Sequence, residues 1–229
     1  MLFDLDGVLT PTASVHMRAW DQMFRQAFAE HRITPPYTDA DYFAHVDGRP
    51  RYDGVRATLA SRGVHLAEGT PSDPPGLHSV CALGNAKNAT VDQILAHEGV
   101  EAYPGSVRAV DDLERRGVAM AVVSSSRNTA AVLEAAGLRG RFPVVVDGVV
   151  AAAEHLPGKP APDTFLLAAA RLGVAPSRAA VVEDAVSGVA AASAGDFGLV
   201  VGVDRGAGAA ALLAAGAHVV VRDLEELLG

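Results

Sequence analysis

Two aspartates near the start of the chain have the spacing of a shared reactive site. Asp4 and Asp6 follow a short apolar segment and precede Gly7. Side chains two residues apart point to the same side of an extended chain, so both carboxylates can reach one site. Two like charges at that separation are unfavourable unless a cation or a proton neutralises one of them. The pair therefore predicts a reactive or metal-binding site, the alternative being an acidic turn that faces solvent.

Three further groups of polar residues stand where later apolar segments end. Serines occupy positions 124–126, Lys159 lies in the proline-rich loop 157–162, and Glu183 and Asp184 follow another apolar run. Each group alone has a structural explanation: a helix cap, a solvated cation or a charge pair at a helix start. Their common position after strands predicts one site, because ligands of parallel α/β sheets bind at the carboxyl ends of the strands.

This combination of residue types suits phosphoryl transfer. A carboxylate can attack phosphorus and form an aspartyl-phosphate, which divides one difficult step into two. A second acid can protonate the leaving oxygen and then take a proton from the attacking hydroxyl. Mg²⁺ prefers oxygen ligands and spreads the charge of the transferring group. A lysine and a hydroxyl would complete the electrostatic stabilisation.

The elements that must position these residues can be predicted from hydrophobic runs. Short, valine-rich apolar runs without polar alternation are typical of strands buried on both faces, as in parallel sheets. We assign strands to residues 1–3, 118–123, 142–146, 179–182, 198–203 and 217–221. We assign helices to residues 106–116, 128–136, 162–172, 185–194, 206–215 and 223–228. The alternation predicts an α/β fold with a Rossmann-like parallel sheet.

One long segment interrupts this alternation. Apolar residues at helical spacing, and helical patterns near Val55 and over residues 77–96, predict an inserted α-helical cap domain over residues 13–94. The α/β core would then comprise residues 1–12 and 95–229. Within the cap we expect three large apolar residues, and the single cysteine, to serve packing; they are Trp20, Met23, Phe28 and Cys81. The first strand is short, which leaves open that native residues precede it.

The composition excludes several other classes of protein. The 229 residues carry a formal net charge of −8, and only 5% of them are aromatic. Such a chain lacks the basic, base-stacking surface of a nucleic-acid binder, and no uncharged apolar stretch is long enough to cross a membrane. Asp4 and Asp6 stand where a signal peptide would be apolar, and one cysteine forms no internal disulfide. We therefore expect a cytoplasmic monomer that binds neither nucleic acid nor membrane.

The order of the motifs resembles that of the haloacid-dehalogenase-like superfamily of phosphotransferases. The matching segments, in chain order, are DLDGVLT, VVSSS, GKPAPD and VVED. The resemblance implies that Asp4 is the nucleophile and that Ser124 binds the transferring phosphoryl group. It implies that Asp6 is the general acid and base and also gives its backbone carbonyl to Mg²⁺.

The same resemblance assigns roles to the later motifs. Lys159 would bridge Asp4 and the phosphoryl oxygens. Asp184 would complete the Mg²⁺ site, together with Glu183 acting directly or through water. An aspartate at position 6 favours phosphoryl transfer over dehalogenation, which has no use for an acid there.

Within the superfamily the chain resembles the β-phosphoglucomutase family. The helical insertion follows the first motif, and finer matches are HMRAW at 16–20, GRPR at 48–51, KN at 87–88 and SSSRN at 124–128. The resemblance implies that Lys87 reaches the sugar and that His16 lies beside Asp6. The residues it assigns to substrate binding, mainly of the phosphate that is not being transferred, are Arg51, Ser125, Ser126, Arg127 and Asn128. A mutase must hold a bisphosphate in two orientations, and an arginine can bind such a group with two parallel hydrogen bonds.

Two alternative functions remain open at this point. One is a small-metabolite phosphatase with the same core and water as the acceptor. It is favoured by Pro11, which stands where many relatives carry an acid, and by the long segment between Arg51 and Lys87. The other is a phospho-accepting signalling module, which uses similar residue types around Mg²⁺ but is typically much shorter and has no cap.

Overall fold

The computed structural model describes residues 1–228 and divides into two compact units. One unit consists of Met1–Thr12 and the described residues from Val100 onward, and the other is Ala13–Gly99. The second boundary lies five residues beyond the predicted position 94, because the last inserted helix continues to Glu98. Gly99, with a φ of +69°, follows the end of that helix.

The α/β unit is built on one parallel sheet of six strands in the order β3-β2-β1-β4-β5-β6. The strands are β1 Leu2–Phe3, β2 Ala121–Val123, β3 Val144–Val146, β4 Ala180–Glu183, β5 Leu199–Val203 and β6 Val219–Val221. The fold is therefore the predicted Rossmann-like α/β class. The chain builds the sheet outward from β1 on one side and then returns to add β4 on the other. The carboxyl ends of β1 and β4 thus flank the point at which such sheets bind ligands.

The inserted unit is helical. Its helices are α1 Thr12–Glu30, α2 Asp39–Asp41, α3 Arg51–Ala60 and α4 Val80–Glu98, and a π-helical turn, Tyr42–Val46, continues from α2. Trp20, Met23 and Phe28 lie in its apolar interior, as predicted. Trp20 and Tyr37 both stack on Phe24, so a short ladder of rings holds α1 to the segment that follows it.

Within residues 1–228, six helices complete the α/β unit. They are α5 Pro104–Arg115, α6 Thr129–Ala135, α7 Gly148–Ala153, α8 Asp163–Arg171, α9 Val186–Ala194 and α10 Ala209–Ala214. The predicted last helix, 223–228, is a 3₁₀ turn, Leu224–Leu227. Helix α7 was not predicted, because its six residues are too few to show a periodic pattern. It begins after Asp147, whose carboxylate accepts the backbone N–H groups of Val149 and Val150.

Small side chains bring the helices close to the sheet. Val181 is fully buried in β4, and Ala168 and Ala192 are fully buried in helices of the same core cluster. Alanine at the contact lets a helix approach a valine-covered sheet closely, and the larger Phe165 fills the remaining volume. In the described part of the chain, no helix is long and apolar enough to cross a membrane.

Candidate active site

Lys159 joins three strands at the carboxyl edge of the sheet. Its Nζ donates to Asp4 Oδ1 at 2.6 Å, to Glu183 Oε1 at 2.5 Å and to the carbonyl of Val123 at 3.1 Å. Asp4 follows β1, Val123 ends β2 and Glu183 ends β4. Lys159 is 2% exposed, and both carboxylates are buried. The solvated-loop explanation of this lysine is therefore wrong.

The ionisation of this buried cluster reflects burial and mutual charge. Burial raises the pKa of Asp4 well above its usual range, although the Lys159 ammonium acts against this shift. Burial acts to lower the pKa of Lys159, but Asp4 and Glu183 outweigh it and the net shift is upward. Lys159 therefore stays positively charged, and further positive charge beside Asp4 would favour its ionised, nucleophilic form.

Asp6 is held by hydroxyl groups. Thr12 Oγ1 donates to Asp6 Oδ1 at 2.5 Å, and Ser124 Oγ donates to Asp6 Oδ2 at 3.2 Å. The Thr10 hydroxyl lies 2.7 Å from that of Thr12. Ser124 Oγ also accepts the backbone N–H of Ser126 at 3.0 Å. Since hydroxyls can donate or accept, these contacts tolerate either protonation state of the Asp6 carboxyl.

Two glycines leave room for the acidic side chains at the end of β4. A Cβ on Gly7 would lie 1.9 Å from Asp184 Oδ2, and one on Gly188 would lie 1.8 Å from Glu183 Oε1. Gly7 also has a φ of +92°, a backbone angle that residues with a side chain rarely adopt. The Asp184 carboxylate therefore packs against the backbone that follows Asp6.

Glu183 has a partner set that differs from the predicted one. Its Oε1 accepts from Lys159 and its Oε2 accepts the backbone N–H of Ala185 at 2.9 Å. Both oxygens thus have protein partners, and the contacts suit a residue that positions Lys159. The expectation that Glu183 helps to hold Mg²⁺ gains no support from this geometry.

The loop between β2 and α6 carries the remaining predicted residues of this unit. Ser125, Ser126 and Asn128 are partly buried, and Arg127 is exposed. The backbone N–H of Gly148 donates to the carbonyl of Ser126 at 2.9 Å. A Cβ on Gly148 would lie 2.7 Å from the carbonyl oxygen of Ser125, so the two loops pack backbone to backbone. This loop is fixed and presents an arginine to solvent.

In the helical unit, His16 and Lys87 are in direct contact. Lys87 Nζ lies 2.5 Å from His16 Nδ1 and 5.1 Å from the centre of the Trp20 ring. Lys87 is 5% exposed, which rules out the alternative of a lysine on a solvated face. The placement of His16 beside Asp6 remains a prediction.

Arg51 begins α3 and lies along α4. A Cβ on Gly84 would be 3.3 Å from Arg51 Cδ and 2.7 Å from the Tyr52 ring, so this glycine permits the close approach of the two helices. Burial raises the pKa of Asp92, whereas Arg51 and Lys87 both act to lower it. Two of the predicted cations of the helical unit are therefore electrostatic neighbours of one carboxylate on α4.

Comparison with known proteins settles the family. Residues 1–196 match the model of the haloacid dehalogenase-like hydrolases. The chain belongs to this family. It is 48% identical to the β-phosphoglucomutase of Mycobacterium bovis, over 99% of this chain and 90% of that protein. It is 32% identical to the fructose-1-phosphate phosphatase YqaB of Escherichia coli, over 85% of this chain and 90% of that protein.

A solved structure of a family member has the same fold. The β-phosphoglucomutase of Clostridium difficile matches with a TM-score of 0.78 and 24% identity, over 99% of this chain and 91% of that one. Membership of the haloacid dehalogenase-like family and these relatives make the chain an enzyme.

Sequence reasoning about this haloacid dehalogenase-like protein missed the partners of the reactive residues. Thr12 holds Asp6 and is itself contacted by Thr10, and Arg205 reaches the loop after Asp6 from the far side of β4. The alternate spacing of Thr10, the last residue of the first motif, and Thr12 was an available signal for Thr12. Arg205 is 198 positions from its partner Gly7, and no local pattern indicates that contact.

Proposed function

We propose that the protein is a Mg²⁺-dependent phosphoryl-transfer enzyme of the β-phosphoglucomutase type. It would convert β-glucose 1-phosphate into glucose 6-phosphate through the 1,6-bisphosphate and an aspartyl-phosphate on Asp4. The observation that carries the transfer chemistry is the buried Lys159, which donates to both Asp4 and Glu183. The relative at 48% identity named β-phosphoglucomutase favours this reaction.

Asp4 supplies the nucleophile. One of its oxygens, Oδ1, is held by Lys159, which leaves Oδ2 to attack phosphorus. As the oxygen–phosphorus bond forms, the bond to the departing sugar oxygen breaks. Lys159 stabilises the negative charge of the transferring oxygens, and Ser124 donates a hydrogen bond to the same group.

Asp6 moves the proton. Protonated, it gives its proton to the sugar oxygen that leaves; ionised, it takes a proton from the hydroxyl that attacks next. The contact from Thr12 orients its carboxyl group for both steps, while the Ser124 hydroxyl, which contacts Asp6 in this structure, turns to the phosphoryl group during transfer.

Oxygen ligands for Mg²⁺ are present in the loop after β1 and the loop after β4. Among residues 1–228, no three His, Cys, Asp or Glu side chains are arranged to hold a metal ion by themselves. Mg²⁺ ordinarily takes one or two protein carboxylates and keeps several waters, so Asp4, Asp184 and the Asp6 carbonyl form a suitable set. The close packing of Asp184 on Gly7 supports this choice. When bound, the cation would neutralise phosphoryl charge.

The mutase reaction requires a second anion-binding set besides the one at Asp4. Arg51, Ser126, Arg127 and Asn128 would bind the phosphate that stays on the sugar. Lys87, paired with His16, would bind sugar hydroxyls.

The second candidate is a sugar-phosphate phosphatase that uses the same core and water as the acceptor. The Escherichia coli relative named as a phosphatase and the long loop 69–76 in the helical unit favour it. A hydrolase for monophosphates would have little use for Arg51.

Substitution of Arg51 separates the two candidates. We expect Arg51→Gln to lower the rate of glucose 6-phosphate formation by about 10- to 100-fold, since a charge-assisted contact to phosphate is lost. Phosphate release from a monophosphate would change much less. The matched control is Arg56→Gln on the same helix, where the exposed Arg56 pairs with Glu68. Equal glucose 6-phosphate formation by wild type and Arg51→Gln would overturn the role proposed for Arg51 in the mutase reaction.

A further inference from the structure

Three consecutive carbonyl groups in the loop after Asp6 have specific donors. The carbonyl of Gly7 accepts from Arg205 Nε at 2.9 Å, that of Val8 from Ser106 Oγ at 2.6 Å, and that of Leu9 from the backbone N–H of Tyr103 at 2.9 Å. The first of these donors is charged and comes from the loop after β5. A hydrogen bond from a charged donor is stronger than a neutral one.

Arg205 is itself fixed by several contacts. Its Nη1 donates to the carbonyl of Arg222 at 2.8 Å, and its guanidinium carbon lies 4.0 Å from the centre of the Tyr103 ring. The preceding residue, Asp204, accepts the backbone N–H groups of Gly206 and Gly208 with Oδ1. The loop that carries Arg205 is thereby closed on itself, and the guanidinium arrives in one orientation.

The peptide groups on both sides of Gly7 are held. The N–H of Gly7 donates to the carbonyl of Thr10 at 2.7 Å, which orients the peptide that contains the Asp6 carbonyl. Arg205 holds the next peptide through the Gly7 carbonyl. Glycine with a φ of +92° has a wide choice of backbone angles, so this turn depends on such contacts for its geometry.

We infer that Arg205 is a positioning residue that locks the Gly7 turn and so orients the backbone carbonyl and the carboxyl group of Asp6. It lies two strands from β1 in the sheet and acts on the reaction only through this turn. The inference rests on the proposed roles of Asp6 in metal binding and in proton transfer.

The sign of the effect on Mg²⁺ affinity distinguishes positioning from simple charge. Removing a positive charge near a cation site should by itself strengthen cation binding. A lost positioning contact should weaken it, by about tenfold as for other residues that orient ligands. The variant is Arg205→Gln, and the matched control is Arg222→Gln, which removes an exposed charge from the next loop and keeps the carbonyl that Arg205 uses.

The experiment is calorimetric titration of the folded protein with Mg²⁺, followed by steady-state kinetics. For Arg205→Gln we expect Mg²⁺ affinity about tenfold lower and kcat lower by roughly 10- to 100-fold, with KM nearly unchanged because substrate contacts persist. Arg205→Lys, which keeps the charge and one donor, should recover part of both. Arg222→Gln should match wild type or bind Mg²⁺ slightly more tightly. A loss of thermal stability alone, with wild-type Mg²⁺ affinity, would overturn the inference, as would equal weakening in Arg222→Gln.

The test of Arg205 gives an answer whether or not the proposed mutase function is correct. If wild type releases phosphate and makes no glucose 6-phosphate, the mutase assignment fails while the Mg²⁺ comparison still decides the role of Arg205. If wild type binds no Mg²⁺, the proposed metal site fails, and an unchanged kcat in Arg205→Gln would then overturn the positioning role. If Arg205→Gln does not fold, Arg205→Lys carries the same comparison.

Discussion

At the scale of residues, the charges of the site balance one another in a buried cluster. Lys159 contacts two carboxylates, and all three groups are almost fully buried. Removing one member of such a cluster leaves an uncompensated buried charge, which is strongly destabilising. Stability and chemistry are therefore coupled at these positions, and variants of Asp6, outside this salt-bridged group, report more cleanly on the reaction.

Asp6→Asn tests the acid–base assignment. We expect phosphoryl transfer to fall by about 100-fold or more, because an amide can neither give nor take the proton. Mg²⁺ should still bind, since the proposed ligand is the backbone carbonyl, with an affinity lowered only by the loss of the nearby negative charge. Steady-state rates and calorimetric titration measure the two effects separately. Full activity in this variant would show that Asp6 does not carry the proton.

Several of the chemical residues could be predicted because they directly follow a recognisable strand. Asp4 and Ser124 directly follow β1 and β2, as predicted, whereas helix α7 lies between β3 and the loop of Lys159, which nevertheless contacts Asp4. The supporting residues could not be predicted in this way. Thr12 and Arg205 act through contacts that depend on how distant segments fold together, which no local periodicity encodes.

At the scale of elements, the predicted strands and helices agree with the structure where a hydrophobic run is long enough to show a periodic pattern. All six strands lie within or next to predicted segments, because valine-rich runs buried on both faces have a clear signature. Helix α7 and the π-helical turn Tyr42–Val46 escaped prediction because each spans too few residues for a helical period. The inserted unit extends further than predicted because nothing in α4 before Gly99 signals a helix end.

An ion pair ties two elements of the helical unit together and should give it acid-sensitive stability. The Arg62 guanidinium contacts both oxygens of Asp41, at 2.5 and 2.7 Å, and both side chains are largely buried. Hydrogen bonds from Arg62 lower the pKa of Asp41 to about 2. A carboxyl group with a depressed pKa in the folded state stabilises the protein above its unfolded pKa, and this contribution is lost as the pH falls through the folded value.

Asp41→Asn measures this contribution. We expect the pH-dependent difference in the free energy of unfolding between wild type and variant to be about 2 kcal/mol near pH 6 and about half as large at pH 3. Urea unfolding at both pH values gives the comparison. A difference that does not change with pH would show that Asp41 titrates normally in the folded protein. Asp39→Asn, at an exposed position on the same helix, is the control.

At the scale of the whole molecule, the acidity of the chain is compatible with an anionic substrate. The formal net charge is −8, and part of the negative charge comes from residues proposed for catalysis and metal binding, including Asp4, Asp6 and Asp184. A bound cation would convert that acidic cluster into a phosphate site. Lys159 adds positive charge within the acidic cluster of the α/β unit, and the helical unit has its own cations, Arg51 and Lys87. The net charge of the chain is therefore a poorer guide to whether it can bind an anionic substrate than the positions of the individual charges.

The residues proposed for phosphoryl transfer and those proposed for substrate recognition lie largely in different units. The α/β unit holds the residues proposed for transfer, and the helical unit holds Arg51 and the His16–Lys87 pair proposed to recognise the sugar phosphate. Relatives named as mutases and as phosphatases both match this chain over most of its length. Similarity to relatives therefore does not decide between mutase and phosphatase activity. The two reactions are best distinguished by an assay of the wild-type protein.

The most direct test is the fate of the phosphoryl group during turnover of β-glucose 1-phosphate. The protein would be incubated with this substrate, Mg²⁺ and a trace of the 1,6-bisphosphate, and both glucose 6-phosphate and free phosphate would be measured. The account predicts that glucose 6-phosphate forms in large excess over phosphate. Release of free phosphate without glucose 6-phosphate would contradict it.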